Sequence, residues 1–447
     1  MAIRLGESVT VKAVIIGVIV LVLLVPLMML RSLVTERSVA REQAYAKVAQ
    51  GWGGALTVGG PMLVVPTERL VTEERITRVV REEIYVLPES LEATIELKLE
   101  PQPRYVGIYA VPVYIATVHL SGHFDSAALR SLLGQPDTTY LWAQGRLRLP
   151  MSQVRSLREV RLARLATRDL EFGPASPGTL AGVESLVDLS GFETQPLTFE
   201  FETAVAGSRE LSVLPLGSTT SVRLSSDWPH PAFDGAFLPV ERSITAQGFQ
   251  ARWQVLELNR AYRQVWRQGE IDEATLQQSA LGVGIYQAVD VYQRGERAIK
   301  YALLFIALTF MSFFAWEQLA RIRLHPLQYL LVGLALSTFY LLLIALSEHM
   351  AFAAAYGVAA ASLVLLLGIY VAGALRSRAR GAAVAAGMTA VYGVLYVLVL
   401  SEDYALLLGA IVLYAALATV MLVTRRIDWY QRGERPAASA HGEAGDP

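Results

Sequence analysis

Six apolar segments, each about as long as a lipid bilayer is thick, constrain this chain more than any other feature. One lies at residues 13–30, and five follow one another at 298–316, 327–346, 351–372, 382–400 and 404–423. About 20 apolar residues in helical form span a hydrocarbon core of about 30 Å. An open chain crosses this core only as helices, because backbone groups there find no water. The sequence therefore predicts six transmembrane helices.

The first apolar segment also has features of a secretory signal peptide, since Arg4 and Lys12 precede it. The apolar run is long for a signal peptide, however, and the sequence that ends it, MMLRSLVTER, contains no small-x-small cleavage pattern. We therefore predict an uncleaved signal anchor.

The short loops between the predicted helices differ in charge. Arginines occur in the stretches 318–325 and 375–381 and after the last helix: Arg321, Arg323, Arg376, Arg378, Arg380, Arg425 and Arg426. The alternate loops, SEHM at 347–350 and SEDY at 401–404, contain neither Lys nor Arg. Because Lys and Arg accumulate in cytoplasmic loops, we predict that both termini are cytoplasmic and that residues 31–297 lie on the other side.

Two of the helix pairs repeat. LLLIALSEHMAF and LYVLVLSEDYAL align with a shift of 54 residues, which predicts two tandem hairpins of the same orientation. In one interpretation each Ser caps the helix that follows and each Glu lies favourably at its start. In the other, the turns form an acidic cluster near the 290–297 stretch, whose Arg294 and Arg297 are candidate partners. The cluster consists of Glu348, His349, Glu402 and Asp403.

Residues 31–297 have the composition of a globular domain. Runs rich in β-branched and aromatic residues, separated by Pro and Gly, predict about eight to twelve strands in a sandwich or paired sheets. We predict short helices at 151–162 and 258–266, and a helical stalk at 36–50. The remaining boundaries are a signal-anchor segment at 1–30, a five-helix bundle at 298–424 and a disordered tail at 425–447.

The aromatic and proline-rich run 225–255 is the best candidate for a recognition loop in this domain. Asp227, Trp228 and His230 are its candidate partner-binding or ligand-binding residues. A histidine between two prolines more often makes a structural hydrogen bond than serves as a base, so we do not predict catalysis there.

Several functions find no support in the sequence. The chain has no cysteine and a net charge of −1, which excludes thiolate chemistry and offers no field that would attract nucleic acid. No HExxH, GxSxG or Walker pattern occurs. We therefore predict no enzyme activity, no cofactor and no metal. The middles of the six helices lack charged residues and histidine, which counts against ion-coupled transport.

Several stretches of this chain are specific enough to indicate a family. They include GPMLVVP (60–66), GIYAVPVYIATVHLSGHFD (107–125), SDWPHPAFDGAFLP (226–239), GFQARWQV (248–255), ERAIKYALLFIALTF (296–310), SEDYALLLG (401–409) and RRIDWY (425–430). Together these stretches resemble the CreD family of bacterial inner-membrane proteins, also called cell envelope integrity proteins. The resemblance implies a Gram-negative inner membrane, a periplasmic large domain and a role in envelope integrity. It also implies regulation by a CreB/CreC-type two-component system linked to the β-lactam response, and it supplies no catalytic residues.

The predicted fold class is membrane α + β: one N-terminal transmembrane helix, a large mainly-β periplasmic domain, and a C-terminal bundle of five helices with two hairpin repeats. Our leading hypothesis is a non-enzymatic protein whose β domain binds an envelope component or a periplasmic or inner-membrane protein, with the lipid bilayer around its bundle. A transporter or lipid-handling protein is the first alternative. A cavity between the third and sixth predicted helices, open to lipid and lined by Ser337, Thr338, Tyr392 and Tyr396, would favour it. A membrane hydrolase that uses Glu348 and His349 with Glu402 and Asp403 is the second, and three converging ligands including Glu348 and His349 would favour it.

Overall fold

The computed structural model describes two compact units of the chain. Its described residues are 9–73, 76–126, 138–176, 181–190, 196–285, 291–319, 324–401 and 404–425. One unit comprises residues 1–40 and 289–447, and the other comprises residues 41–288. We name the first the membrane unit and the second the β unit.

The described residues of the membrane unit are mostly helical. The helices of the described chain are α1 (Val9–Gly51), α2 (Glu273–Gln277), α3 (Val291–Leu319), α4 (Pro326–Ser347), α5 (Phe352–Ala374), α6 (Arg378–Leu400) and α7 (Ala405–Thr424). The short helix α2 belongs to the β unit. In the described part of the chain, α1 and α3–α6 are long and apolar enough to cross a membrane, and the apolar stretch of α7 is Leu407–Thr419. This arrangement confirms the predicted membrane α + β fold class, with an N-terminal apolar helix, a large β-rich unit and, among the described residues, four C-terminal helices long enough to cross a membrane. The predicted stalk at 36–50 continues α1 without a break.

Local chemistry fixes where the membrane helices begin. His325 precedes α4 and its Nδ1 accepts a hydrogen bond from the backbone N–H of Leu327 at 3.2 Å, while Pro326 occupies the first helical position. Ser377 caps α6 by accepting a bond from the N–H of Arg380 at 3.4 Å. Both caps satisfy N–H groups that a helix start leaves without a partner.

The bundle brings sequential helices together. Helix α4 packs between α3 and α5, α6 packs on α5 and α3, and α7 lies against α3 and α6. Gly333 on α4 permits a close approach of α1 and α3: a Cβ there would lie 2.2 Å from Leu23 Cδ1 and 2.8 Å from Phe310 Cζ. Small residues at helix interfaces allow this kind of contact in membranes.

The β unit contains 21 strands among its described residues. They are β1 (Leu56–Gly59), β2 (Met62–Glu73), β3 (Ile76–Val86), β4 (Ser90–Leu99), β5 (Arg104–Val106), β6 (Tyr109–Val111), β7 (Tyr114–Phe124), β8 (Thr138–Tyr140), β9 (Arg146–Pro150), β10 (Leu157–Leu165), β11 (Arg168–Asp169), β12 (Gly173–Pro174), β13 (Gly182–Leu186), β14 (Leu197–Gly207), β15 (Glu210–Leu214), β16 (Thr219–Ser226), β17 (Ala232–Gly235), β18 (Glu241–Thr245), β19 (Gly248–Leu256), β20 (Val265–Arg267) and β21 (Leu281–Gly284).

These strands form one large sheet and three smaller ones. The eight-stranded sheet has the order β11-β10-β14-β7-β4-β16-β19-β18, and the seven-stranded sheet has the order β12-β13-β9-β2-β3-β20 with β8 beside β2. The strands β1-β15-β21-β17 form a third sheet, and β5-β6 form a hairpin. Most pairs are antiparallel, but β4 runs parallel to β16 and β1 parallel to β15.

Alternating side chains bury one face of the large sheet. Along β4, Leu91, Ala93, Ile95 and Leu97 are buried while the residues between them are exposed, which is the pattern of a half-buried strand. The main hydrophobic core gathers such residues from the eight-, seven- and four-stranded sheets.

Aromatic and basic side chains anchor the last turns of α1 within the β unit. The ring of Trp52 lies 4.3 Å from the guanidinium carbon of Arg104 and 4.7 Å from that of Arg158. The guanidinium carbon of Arg209 lies 4.6 Å from the centre of the Tyr45 ring, and Arg209 also forms an ion pair with Glu42. Cation–π contacts of this kind are worth about 0.5–1 kcal/mol each at exposed sites.

Two of the predicted helices are wrong. The segment 151–162 contains a single 3₁₀ turn, Val154–Ser156, followed by β10, and the segment 258–266 contains the end of another such turn and the start of β20. We predicted a short helix at 151–162, but its backbone pairs with β14 along most of β10. Pairing with neighbouring strands therefore outweighs local propensity. The strand number also exceeds the prediction, because it includes strands of only two or three residues such as β11 and β12.

Candidate functional site

The run after β16 forms a tight turn rather than an open loop. The Oδ1 of Asp227 accepts a bond from the N–H of Leu99 at 3.2 Å and so ties the turn to the end of β4. The indole Nε1 of Trp228 donates to the carbonyl of His230 at 2.7 Å, and the two rings meet edge-on at 6.0 Å. Trp228 packs partly into the core, whereas Asp227 and His230 are exposed. The contacts of Trp228 and His230 therefore hold the turn in shape.

A polar groove crosses β4, β16, β19 and β18 beside this turn. It consists of two adjoining pockets of about 470 and 560 Å³ that share Ser225, Ser243 and Gln250, and Asp227 lines the first pocket. We name it the β-unit groove. Two of its charged side chains form an ion pair, in which Nζ of Lys98 lies 2.8 Å from Oε1 of Glu96. Such a lining suits a polar partner more than an apolar one.

Strand β18 forms one edge of the eight-stranded sheet along this groove. Among the described strands it pairs only with β19, and all five of its residues are exposed. Ile244 is 49% exposed. An edge strand presents backbone N–H and C=O groups to which another strand can pair. The β-unit groove and the β18 edge together form the candidate binding surface of the β unit.

The two repeated turns of the membrane unit end helices rather than begin them. Ser347 Oγ donates to the carbonyl of Leu343 at 2.6 Å, and Ser401 Oγ donates to that of Val397 at 2.9 Å. Neither serine therefore caps the helix that follows, and Glu348 is the C-cap of α4 rather than the first residue of α5. The capping interpretation of the sequence was wrong in this respect, because each hydroxyl bonds back by four residues.

Glu348 connects three helices at this end of the membrane unit. Its Oε1 accepts a bond from the hydroxyl of Tyr292 at 3.1 Å and lies 3.7 Å from Nε of Arg37. Arg294, one of the partners suggested by sequence, lies 5.4 Å from the ring of Phe352. His349 is exposed, while Glu402 and Asp403 lie outside the described residues. The predicted acidic cluster therefore stays a prediction.

A second charged cluster lies at the other end of the same helices. The carboxylate of Glu317, only 4% exposed, pairs with Lys12. It also accepts bonds from the N–H of Leu324 at 3.0 Å and the hydroxyl of Tyr329 at 2.9 Å. Lys12 in turn donates to the carbonyl of Leu324 at 2.7 Å. Sequence reasoning missed this pair because each residue lies just outside an apolar run. The sequence feature that could have indicated the pair is one charged residue next to each of two apolar segments, Lys12 before 13–30 and Glu317 after 298–316.

A cluster of aromatic side chains fills the middle of the bundle. The ring of Phe339 lies 4.5 Å from that of Tyr392 and 5.4 Å from that of Tyr356, and Tyr356 lies 4.9 Å from Tyr396. Beside these tyrosines, a groove of about 900 Å³ runs between α5 and α6. We name it the α5–α6 groove.

The α5–α6 groove differs from the cavity that the lipid-handling alternative required. Tyr392 and Tyr396 line it as expected, but its other walls come from α5 and α6 and not from Ser337 or Thr338. The hydroxyls of Ser337 and Thr338 instead donate to carbonyls four residues back, at 3.0 and 2.9 Å.

The hydrolase alternative required three converging ligands. Within the residues that the structure describes, no group of three or more His, Asp or Glu side chains could hold a metal ion. The carboxylate of Glu348 instead contacts the hydroxyl of Tyr292 and the guanidinium of Arg37, and neither is a His, Asp or Glu ligand.

A set of long apolar helices joined to a large mixed-sheet unit defines a multi-pass membrane protein of α + β structure. A sequence model described as "Inner membrane protein CreD" matches residues 8–430. The chain is also 35% identical over 417 residues to "Inner membrane protein CreD" of Escherichia coli (strain K12), covering 92% of this chain and 91% of that protein. The chain belongs to the CreD family of inner membrane proteins, as the sequence resemblance indicated.

Among solved structures, an M1 zinc metallopeptidase mutant from Deinococcus radiodurans matches 38% of this chain and 38% of that chain at 12% identity. Its TM-score of 0.18 carries no argument about fold or activity.

Proposed function

We propose that this chain is a non-enzymatic inner-membrane protein whose β unit lies in the periplasm and whose two termini lie in the cytoplasm. The distribution of arginine supports this orientation. The stretches at 318–325 and 375–381 and the segment after α7 carry arginine, and the two alternate loops carry no Lys or Arg.

We further propose that the β unit supports envelope integrity by binding another envelope component, under control of a CreB/CreC-type system. The observation that carries this proposal is the exposed β18 edge beside the β-unit groove. An extended segment of a partner protein would add a strand to β18, and the polar groove would receive its side chains. Backbone hydrogen bonds would supply affinity, and alternate side chains would supply specificity.

Reporter fusions test the orientation. Fusions after residues 150 and 402 are expected to read periplasmic, and a fusion after residue 378 is expected to read cytoplasmic. A cytoplasmic signal at residue 150 would overturn the proposed topology.

A pair of charged substitutions tests the binding surface. Ile244→Lys places a charge on the β18 edge, which discourages strand addition. The matched control is Leu186→Lys, since Leu186 is 78% exposed on β13, a strand that lies between β12 and β9. A photoreactive residue at Ser243 is expected to trap an envelope protein in the control and to lose it in Ile244→Lys, with the envelope defect appearing in parallel. Equal trapping and equal envelope integrity in the two variants would exclude β18 as the binding edge.

A further inference from the structure

The α5–α6 groove is an elongated, outward-facing channel on the membrane unit. It extends from Ala353 to Ala372 on α5, which corresponds to about 28 Å along a helix. This length is close to the roughly 30 Å thickness of a hydrocarbon core. Leu365 and Ile369, both 64% exposed, form part of its rim. The groove therefore faces the position that acyl chains occupy around a membrane helix.

Two hydroxyl groups along the groove already have hydrogen-bond partners within the protein. The hydroxyl of Tyr356 donates to the carbonyl of Tyr392 at 2.6 Å. The hydroxyl of Thr389 donates to the carbonyl of Ala385 at 2.9 Å. The remaining wall is mostly alanine, glycine and aliphatic side chains. A wall of this composition favours an apolar occupant, because a polar one would lose its hydrogen bonds to water and gain few in return.

One end of the groove is basic. Arg378, exposed at the start of α6, is among the lining residues. Arg376 and Arg380 flank it in the same short segment and are also exposed. Basic pockets between transmembrane helices bind anionic lipid headgroups. The groove thus combines an apolar channel with a cationic end. The channel is complementary to an acyl chain, and the cationic end is complementary to the negative headgroup of an acidic phospholipid.

We propose that the α5–α6 groove is a binding site for an anionic glycerophospholipid, with the phosphate at Arg378 and an acyl chain along the groove. This site is separate from the proposed binding surface of the β unit, and its existence does not depend on that proposal.

Two glycines give a direct way to fill the groove. Gly357 on α5 and Gly393 on α6 line it, and an added Cβ at either position would meet nothing within 4 Å. Both positions therefore have space for an added Cβ, and we choose leucine at both positions to fill the channel. Gly387 on α6 has the same free space but does not line the groove. Gly387→Leu is the matched control.

Photolabelling of the full chain in vesicles tests the site. The vesicles contain phosphatidylcholine and a trace of phosphatidylglycerol with a diazirine in one acyl chain, and adducts are mapped by mass spectrometry. A phosphatidylcholine probe with the same acyl chain provides the comparison. We expect adducts on α5 and α6 with a preference of about fivefold for phosphatidylglycerol, since a basic residue near anionic lipid is worth about 1 kcal/mol.

The variants give distinct outcomes. Gly357→Leu combined with Gly393→Leu should abolish the α5 and α6 adducts, while Gly387→Leu leaves them unchanged. Arg378→Gln, which leaves the channel open, should remove the preference for phosphatidylglycerol but retain acyl labelling. Equal labelling in the filled variant and the control, or no headgroup preference in the unmodified chain, would overturn the proposal. A photoreactive leucine at Leu365 that captures a second copy of the chain instead of lipid would also overturn it.

Discussion

Replacing Glu184 by glutamine removes the negative charge from a buried ion pair in the β unit. The side chain of Arg148 is fully buried, and its Nη2 and Nε lie 2.8 and 3.1 Å from Oε2 of Glu184. The other carboxylate oxygen accepts bonds from the backbone N–H of Ser176 at 2.9 Å and from its hydroxyl at 2.7 Å. Glutamine keeps the shape of the site but leaves the Arg148 cation without its counter-charge.

The expected cost follows from the burial of the arginine. Breaking a buried ion pair by removing one partner destabilises proteins by about 3–5 kcal/mol. Glutamine retains a carbonyl acceptor, but neutral hydrogen bonds are roughly half as strong as charged ones. We therefore expect Glu184→Gln to lower the free energy of unfolding by about 3 kcal/mol. The control Glu241→Gln disrupts the exposed pair with Arg252, whose atoms are 3.6 Å apart, and is expected to cost about 0–1 kcal/mol.

The pH dependence gives the prediction a sign. Burial alone would raise the pKa of Glu184, but hydrogen bonds from Ser176 and Arg148 outweigh it and lower the pKa. A carboxylate with a lowered folded pKa contributes stability that is complete above the unfolded pKa of about 4.3. That stability disappears as the pH falls through the folded pKa. The difference in the free energy of unfolding between the unmodified chain and Glu184→Gln should therefore be constant above about pH 5 and decrease below about pH 4.

Urea unfolding of the full chain in detergent, followed by tryptophan fluorescence, measures these differences. Trp253 and Trp266 are buried in the β unit and report on its core. A loss in Glu184→Gln no larger than that in Glu241→Gln would refute the assigned role of the buried pair. A gap that stays constant down to pH 3 would refute the assignment of the titrating group.

Three further predictions concern the pair of Lys12 and Glu317, the glycine at position 122 and the tyrosine at position 340. Lys12→Met and Glu317→Gln should each lower the thermal midpoint of the membrane unit, and the double variant should regain part of the loss; additive losses in a double-mutant cycle would contradict the pairing. Gly122→Ala should destabilise the β unit severely, because a Cβ there would lie 2.0 Å from the carbonyl oxygen of Ser90; unchanged urea unfolding would contradict this geometry. Tyr340→Phe should be neutral or stabilising by about 1 kcal/mol, since this buried hydroxyl has no partner among the described residues; a loss above that amount would reveal a partner.

The membrane helices followed from the sequence because length and polarity alone determine them. Five apolar runs of about bilayer-spanning length lie within α1 and α3–α6, which are long and apolar enough to cross a membrane. The β texture was equally readable, since Leu91, Ala93, Ile95 and Leu97 alternate with polar residues. Local patterns of this kind need no knowledge of distant parts of the chain.

The errors occurred where distant contacts decide the structure. Nothing within 151–162 indicates that β14, some 40 residues later, will pair with it. The parallel pairing of β4 with β16 is similarly invisible to local patterns. The candidate site shows the same limit. The sequence identified the run that contains Asp227 and Trp228. It did not indicate that the indole N–H of Trp228 donates a hydrogen bond to the carbonyl of His230 within the turn.

The pairing of Lys12 with Glu317 also imposes an order in time. The two residues are 305 positions apart in the chain, and at roughly 5–20 residues per second their syntheses are separated by about 15 to 60 s. The entire β unit is made in that interval. During it, the apolar segment and the contacts of the last turns within the β unit hold the first helix, while Lys12 lacks its carboxylate partner. A chain that stops before residue 317 never acquires the carboxylate, so a finished molecule differs from an interrupted one at its very first helix.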